Sequence, residues 1–332
     1  MKPLIAITIG DCNGIGPEVA LKSIIHPSIK KICVPILVGP LHIFDATAKA
    51  LKLKKVKFMK TTFPLLPRSF VPVVDVGDAI WSDVTFGTPT KLSGRNAGVA
   101  IERAVELCLQ QKVQAMVTAP SSKEALNLAG FNFPGQTEMI ALLSHSQRVA
   151  MMLIGGTMRV GLVTIHTGIN NVSAQITKEK TLDKLTIVHQ SLRDDFGIKK
   201  PRIAVLALNP HAGEKGIIGT EEDEIIIPAL TEAKAAGILA EGPFPADGFF
   251  GSAAYKKYDG ILAMYHDQGL IPLKMLAFDK GVNFSAGLKI VRTSPDHGTA
   301  FDLAGKNKAN ISSMLEAIKL AVSISHSRQH HD

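Results

Sequence analysis

Three apolar runs of strand length each give way within a few residues to a histidine: RVGLVTI to His166, RIAVLALNP to His211 and GILAMY to His266. In α/β proteins ligands gather beyond the carboxyl ends of the strands, so this repeated placement restricts the chain to folds that bring several strand ends to one edge. Three imidazoles delivered there suggest one shared metal site. A single histidine beside a strand end is ordinarily just a hydrogen-bonded residue, and only the repetition points further. The second histidine lies in NPHAGEKG and the third in YHDQG, loops rich in the small and polar residues that let backbone approach a ligand.

The remaining pattern alternates strands with helices. PLIAITI reads as a strand, GDCNGIG as a turn, and PEVALKSII as a helix with Pro17 in its first turn, where a missing N–H costs nothing. Ala97, Ala100, Ile101, Ala104, Val105 and Cys108 recur at helical spacing, and QAMVTAP then returns as a strand. Further strands are expected at 203–208, 260–265 and 289–292, with helices near 221–236 and 310–325. This is βα architecture with a largely parallel sheet. At 332 residues the chain exceeds one simple core and suggests two domains, or one with an elaborated half.

Composition narrows the function. No apolar run approaches the ~20 residues that span a bilayer, and the amino terminus reads as a first strand instead of a signal peptide. Cys12, Cys33 and Cys108 are odd in number, far apart and without a CxxC pairing, which argues against a disulfide framework and for a reducing cytoplasm. Cys12 reads as structural or tolerated, with a reactive thiol as the lesser alternative. The net charge of +8 suits nucleic acid, a membrane surface or an anionic metabolite. With one Trp, three Tyr and no nucleic-acid motif, the metabolite fits best. The lysine-rich run LKLKKVKFMK reads as a solvated surface holding a strand, and the tail SRQHHD as a frayed end whose histidines could bind metal adventitiously.

GDCNGIGPE is no dinucleotide fingerprint: Val19 stands at the third glycine position, and the next strand ends in apolar residues such as Val38 where a ribose-binding acid belongs. A tight strand-to-helix turn explains its glycines, and Asp11, Asn13 and Glu18 stay open to a role near a cleft. No GxxxxGK[ST] loop is present. In TAPSSKEALNLAGFNFPGQTEMIA, Ser121 or Ser122 can cap a short helix and Gly130 can end it. Gln136 and Thr137 remain as uncharged donors at the start of another helix, where backbone N–H groups favour an anion. Lys274, Asn283 and Arg292 can each donate to phosphate or carboxylate oxygens, Arg292 bidentately.

Together these segments resemble the 4-hydroxythreonine-4-phosphate dehydrogenase family of pyridoxal phosphate synthesis, from GDCNGIGPE through NPHAGEKGIIGTEE, PADGFF, MYHDQGLIPLK and GVNFSAGL to RTSPDHGTAFDLAG. DHGTAFDLAGKNKAN also looks like the cofactor loop of isocitrate and isopropylmalate dehydrogenases. The resemblance implies two α/β/α domains with a cleft between them, one of residues 1–130 with 295–332 and carrying the cofactor loop, the other of 131–294 with the metal and substrate site and dimer contacts. It implies a cytoplasmic homodimer with shared active sites, and neither nucleic acid nor membrane as partner. His166, His211 and His266 would hold one divalent metal, zinc, magnesium or cobalt. Gln136, Thr137, Lys274, Asn283 and Arg292 would meet the substrate, and His297, Gly298, Thr299 and Ala300 would meet NAD or NADP. Asp247 and Asp267 are candidate proton-handling or orienting carboxylates, with support of a metal-bound histidine or a simple loop hydrogen bond as alternatives.

The implied reaction oxidises 4-phosphooxy-L-threonine to a β-keto acid that loses carbon dioxide. Phosphothreonate or phosphoerythronate is the alternative substrate. From another class, a metal-dependent hydrolase or a phosphometabolite-binding protein would need no DHGTAFDLAG cofactor loop. The chain departs from the family pattern at Gln136, where the family usually has His, and more mildly at Cys12, where it often has Pro. Glutamine donates a hydrogen bond but carries no charge and shuttles no proton.

Overall fold

The computed structural model describes residues 2–53, 56–61 and 69–329. Lys54 and Lys55 of the lysine-rich run, and His330 and His331 of the tail, lie outside the described residues. The chain forms two compact units, residues 1–147 with 288–326 and residues 148–287 with 327–332. The division differs from the one expected at 130/131 and 294/295. It puts Gln136, Thr137 and Arg292 in the first unit, and Lys274 and Asn283 in the second.

In the first unit the chain runs β1 (Leu4–Thr8), α1 (Gly16–Ile25), α2 (Pro27–Ile32), β2 (Val34–Val38), α3 (Leu41–Ala50), β3 (Phe58–Lys60), β4 (Val71–Val74), α4 (Lys91–Leu109), β5 (Ala115–Val117), α5 (Lys123–Leu128) and α6 (Gln136–Leu143). The second unit supplies β6 (Ala150–Gly155), β7 (Met158–Leu162), α7 (Val172–Gln175), α8 (Lys178–Asp194), β8 (Arg202–Leu206), α9 (Ile227–Ala235), β9 (Leu239–Phe244), α10 (Ala246–Gly251), β10 (Gly260–Ala263), α11 (His266–Ala277) and β11 (Val282–Ala286). The chain closes with β12 (Arg292–Pro295) and α12 (Ser312–Gln329).

The first unit's strands pair in the order β3-β4-β2-β1-β5-β12, all parallel. Crossover helices make this possible: α4, capped by Thr90, buries Ala97, Ala100, Ile101, Ala104, Val105 and Cys108, the residues whose spacing marks the helix in the sequence. It packs on β1, β2 and β5. β12 begins at Arg292, three residues later than the expected strand, and Thr293 donates to the Ala317 carbonyl of α12.

The second unit's order is β11-β6-β7-β10-β8-β9. β6 runs antiparallel to both β11 and β7, an exception the sequence pattern does not announce, whereas β7, β10, β8 and β9 are mutually parallel. Consecutive residues of β7 face opposite helices. Val160 packs on Gly269 of α11, and Gly161 lies where any Cβ would come within 2.4 Å of Val188 of α8. Helices therefore cover both faces of this sheet. Leu153, Val160, Leu162, Ala263, Leu270 and Leu273 form part of its buried core. Among the described residues no helix is long and apolar enough to cross a membrane.

Candidate active site

β7, β10 and β8 are adjacent and parallel, so their carboxyl ends share one edge of the second unit, and each end leads to one of the three histidines. His166 follows β7, His266 opens α11 after β10, and His211 sits in a 3-10 turn, Pro210–Glu214, after β8. Buried polar groups lock these ends together. Thr164 donates from N and Oγ1 to the Met264 carbonyl, at 3.1 and 2.8 Å. Gln268, 9% exposed, accepts from Met264 N and donates to the Ala207 carbonyl, joining the ends of β10 and β8.

The His211 turn is strained. His211 (φ 53°), Ala212 (φ 53°), Glu214 (φ 45°) and Lys215 (φ 57°) all lie in the left-handed region, which costs a residue with a Cβ roughly 1–2 kcal/mol. The turn is anchored by Glu222, 2% exposed, whose carboxylate accepts from the Leu208 and Asn209 amides, both at 2.8 Å, and from Asn209 Nδ2. Asn209 Nδ2 also reaches Glu221, whose carboxyl is held below its ordinary range by hydrogen bonds from Ser173 and Asn209. Strain held in place by a buried network is a mark of a functional loop.

The rings of His166 and His266 lie 6.1 Å apart between centroids. His266 Nδ1 is 2.7 Å from Asp267 Oδ1, which fixes the ring and leaves Nε2 as the nitrogen available to a ligand. Among the described residues, no three His, Cys, Asp or Glu side chains are gathered closely enough within this one chain to hold a metal. The expected trio shares an edge, then, without forming a closed ligand set in the isolated chain.

From His266 and Asp267 a groove follows α11 past Leu270 to Lys274 and Phe278. A second, beside it, is lined by His166, Thr167, Ile169, Tyr265 and His266. Asn283 on β11 has a buried Oδ1 with no hydrogen-bond partner among the described residues. A buried acceptor of this kind is costly unless a ligand donor meets it. Asp247 is exposed in the first turn of α10.

In the first unit the charge sits deeper. Arg292 is 2% exposed, and its Nε and Nη2 donate to Thr118 Oγ1 at 3.1 and 2.7 Å. Nη2 also donates to Gln136 Oε1 at 2.8 Å, while Gln136 Nε2 donates to Ser121 Oγ. Burial lowers the Arg292 guanidinium to about 10, against the raising influence of Glu138, so it stays charged at neutral pH. Thr137, 5% exposed, follows Gln136 in the first turn of α6. Ser122 is the residue that caps α5, which leaves Ser121 for Gln136. Thr118 and Glu138 belong to this cluster without having been singled out from the sequence, and Ser121, read there only as a possible helix cap, belongs to it too; the polar Thr118 one residue beyond β5 was the available signal.

His297 and Gly298 are exposed, and a Cβ on Gly298 would meet nothing within 4 Å, so this stretch of backbone is open to a ligand. Ala300 is left-handed at φ 41°. The Thr299 carbonyl accepts from Ile15 N at 3.0 Å, and a Cβ on Gly14 would stand 2.8 Å from that oxygen, so the GDCNGIG turn backs the loop. Asn13, fully buried, ties the same turn to residues 85–90 through Thr85 N, the Thr88 carbonyl and Thr90 Oγ1. Burial, helped by the Asp11 charge, pushes the Cys12 thiol up to about 12, which disfavours the thiolate at neutral pH.

The family model described as "Pyridoxal phosphate biosynthetic protein PdxA" matches residues 31–321. The chain belongs to the PdxA family. Among PdxA relatives, the 4-hydroxythreonine-4-phosphate dehydrogenase of Trichlorobacter lovleyi is 43% identical over 98% of this chain and 99% of its own. A relative from Oceanobacillus iheyensis, 40% identical over 97% of this chain and 98% of its own, bears the provisional name of a D-threonate 4-phosphate dehydrogenase. The crystal structure of 4-hydroxythreonine-4-phosphate dehydrogenase from Klebsiella pneumoniae superposes with a TM-score of 0.87 at 35% identity, covering 98% of this chain and 100% of that one. The α/β fold read from the sequence is thus the PdxA fold.

Proposed function

We propose that the protein is a 4-hydroxythreonine-4-phosphate dehydrogenase that oxidises the C3 hydroxyl of 4-phosphooxy-L-threonine with NAD or NADP. The observation that carries this reading is 43% identity to a protein of that name across 98% of the chain. In this oxidation C3 would lose a hydride, for which a bound nicotinamide would be the acceptor, and its hydroxyl proton would pass to a base; the resulting β-keto acid would then lose its carboxylate as carbon dioxide and take up a proton at C2, leaving 3-amino-2-oxopropyl phosphate.

His166, His211 and His266 would hold a divalent metal, and three imidazoles suit zinc or cobalt better than magnesium, which prefers oxygen ligands. Such an ion, when bound, supplies Lewis acidity at the substrate oxygen. Asp267 holds His266 in one tautomer, and Asp247 is assigned as the proton acceptor. Thr137 and Arg292, and separately Lys274 and Asn283, are assigned to polar and anionic groups of the substrate. The open backbone at His297 and Gly298, with Thr299 and Ala300, fits a nicotinamide dinucleotide, the hydride acceptor.

The working form in this reading is a cytoplasmic homodimer. Ile271 and Met275, 58% and 82% exposed on the helix that His266 begins, and Phe278, 80% exposed just beyond its last residue, offer an apolar face suited to a second copy of the chain. A second reading, D-threonate 4-phosphate as substrate, is favoured by the Oceanobacillus iheyensis relative. Incubating the purified protein with NAD, metal and 4-phosphooxy-L-threonine and identifying the products by mass spectrometry tests the proposal. It expects 3-amino-2-oxopropyl phosphate and released carbon dioxide; unchanged substrate overturns it.

A further inference from the structure

Gln136 stands between two fixed partners 15 and 156 residues away in sequence. Arg292 can only donate, so the amide oxygen of Gln136 must face it; the amide nitrogen is thereby turned to Ser121 Oγ. The orientation of this amide is set by its neighbours, with no ambiguity between oxygen and nitrogen. Thr118 Oγ1, fully buried, accepts from Nε and Nη2 of the same guanidinium. One edge of Arg292 is therefore committed to two protein acceptors, which fix the plane of a group that binds anions through that plane.

Resting on the assignment of Arg292 to the substrate's anion, we propose that Gln136 acts through Arg292: it is a positioning residue whose amide oxygen sets the guanidinium plane. An amide keeps its acceptor oxygen at every pH, so the restraint on Arg292 is independent of any titration of residue 136. Ser121 holds the amide from behind, and Thr118 shares its task.

Two measurements test this. The first is a crystal structure of the Gln136→Leu variant, which removes the acceptor while keeping bulk. The Arg292 guanidinium should leave the plane it has in the native protein; an unmoved guanidinium overturns the proposal, whatever the substrate proves to be. The second is a double-mutant cycle on the calorimetric dissociation constant of 4-phosphooxy-L-threonine with the metal-loaded protein. Gln136→Leu should weaken binding by about tenfold, the scale of one lost hydrogen bond to a charged group. In the Arg292→Lys background the same change should cost less than about twofold, because the planar fork it serves is gone. An equal loss in both backgrounds means that Gln136 touches the substrate itself, and no loss in the native background means that its amide does nothing; either overturns the proposal. If Arg292→Lys does not fold, Thr118→Val replaces it: non-additive losses with Gln136→Leu are expected, and strictly additive ones contradict the shared restraint. A native protein that binds no phosphorylated substrate sinks the dehydrogenase reading, while the variant's crystal structure still decides the role of Gln136.

Discussion

His266 and Asp267 are joined side chain to side chain, Nδ1 to Oδ1 at 2.7 Å, although they are sequence neighbours at the start of a helix. The carboxylate is otherwise 71% exposed, so its contribution lies in orienting the ring and not in burying charge. Asp267→Ala should lower zinc affinity by about 10- to 100-fold, the range for groups that orient a histidine ligand. Chelator competition measures it. An unchanged affinity would mean that His266 is not a ligand or needs no orienting partner.

Gly14→Ala places a methyl group 2.8 Å from the Thr299 carbonyl and 3.0 Å from its Cβ. Backbone must move to relieve the contact, and the loop that moves is the one assigned to the cofactor. Overpacking of this kind costs about 1–3 kcal/mol, so the Kd of NAD should rise roughly tenfold while that of the substrate changes less than about twofold. Fluorescence titration with NADH reads the effect. Equal loss of both affinities would mean that the turn supports the whole unit and not the loop.

Much of this was legible beforehand. The apolar spacing of α4 and the alternation of strand and helix come from local periodicity, and the placing of His166, His211 and His266 at one edge follows once β7, β10 and β8 are parallel. Other features were hidden for physical reasons. The antiparallel β6 carries the same apolar composition as a parallel strand, and pairing direction leaves no mark on such a run. The left-handed His211 turn contains residues with Cβ atoms, whose own preference is against it; the Glu221 and Glu222 carboxylates, 12 to 14 residues from their partners, anchor it. Thr118, Gln136 and Arg292 meet across 156 to 174 residues, beyond any local signal.

Cys12, Cys33 and Cys108 make a pH prediction. Burial raises each thiol from about 9 to about 12, so the native state keeps protons that the unfolded chain releases. Their contribution to stability is complete below about pH 9 and is lost as the pH rises toward about 12. The melting temperature should fall across that window, and Cys108→Ala should make the fall shallower. The same slope with and without Cys108 would contradict a buried protonated thiol.

The exposed α11 face yields a test of assembly. Phe278→Glu puts a charge on a side chain 80% exposed in the single chain, so it should leave folding intact while weakening the proposed homodimer by at least about tenfold in Kd. Light scattering after size exclusion distinguishes the two. A variant that stays dimeric at the native concentration dependence removes this face from the interface.

The central claim is the substrate. The decisive measurement is kcat/KM for NADH formation by the zinc- or cobalt-loaded protein, with 4-phosphooxy-L-threonine and D-threonate 4-phosphate compared side by side. The account predicts turnover of both acids through their common phosphate and hydroxyl, with the amino acid preferred. Turnover of the threonate alone, or NADH from neither, would contradict it.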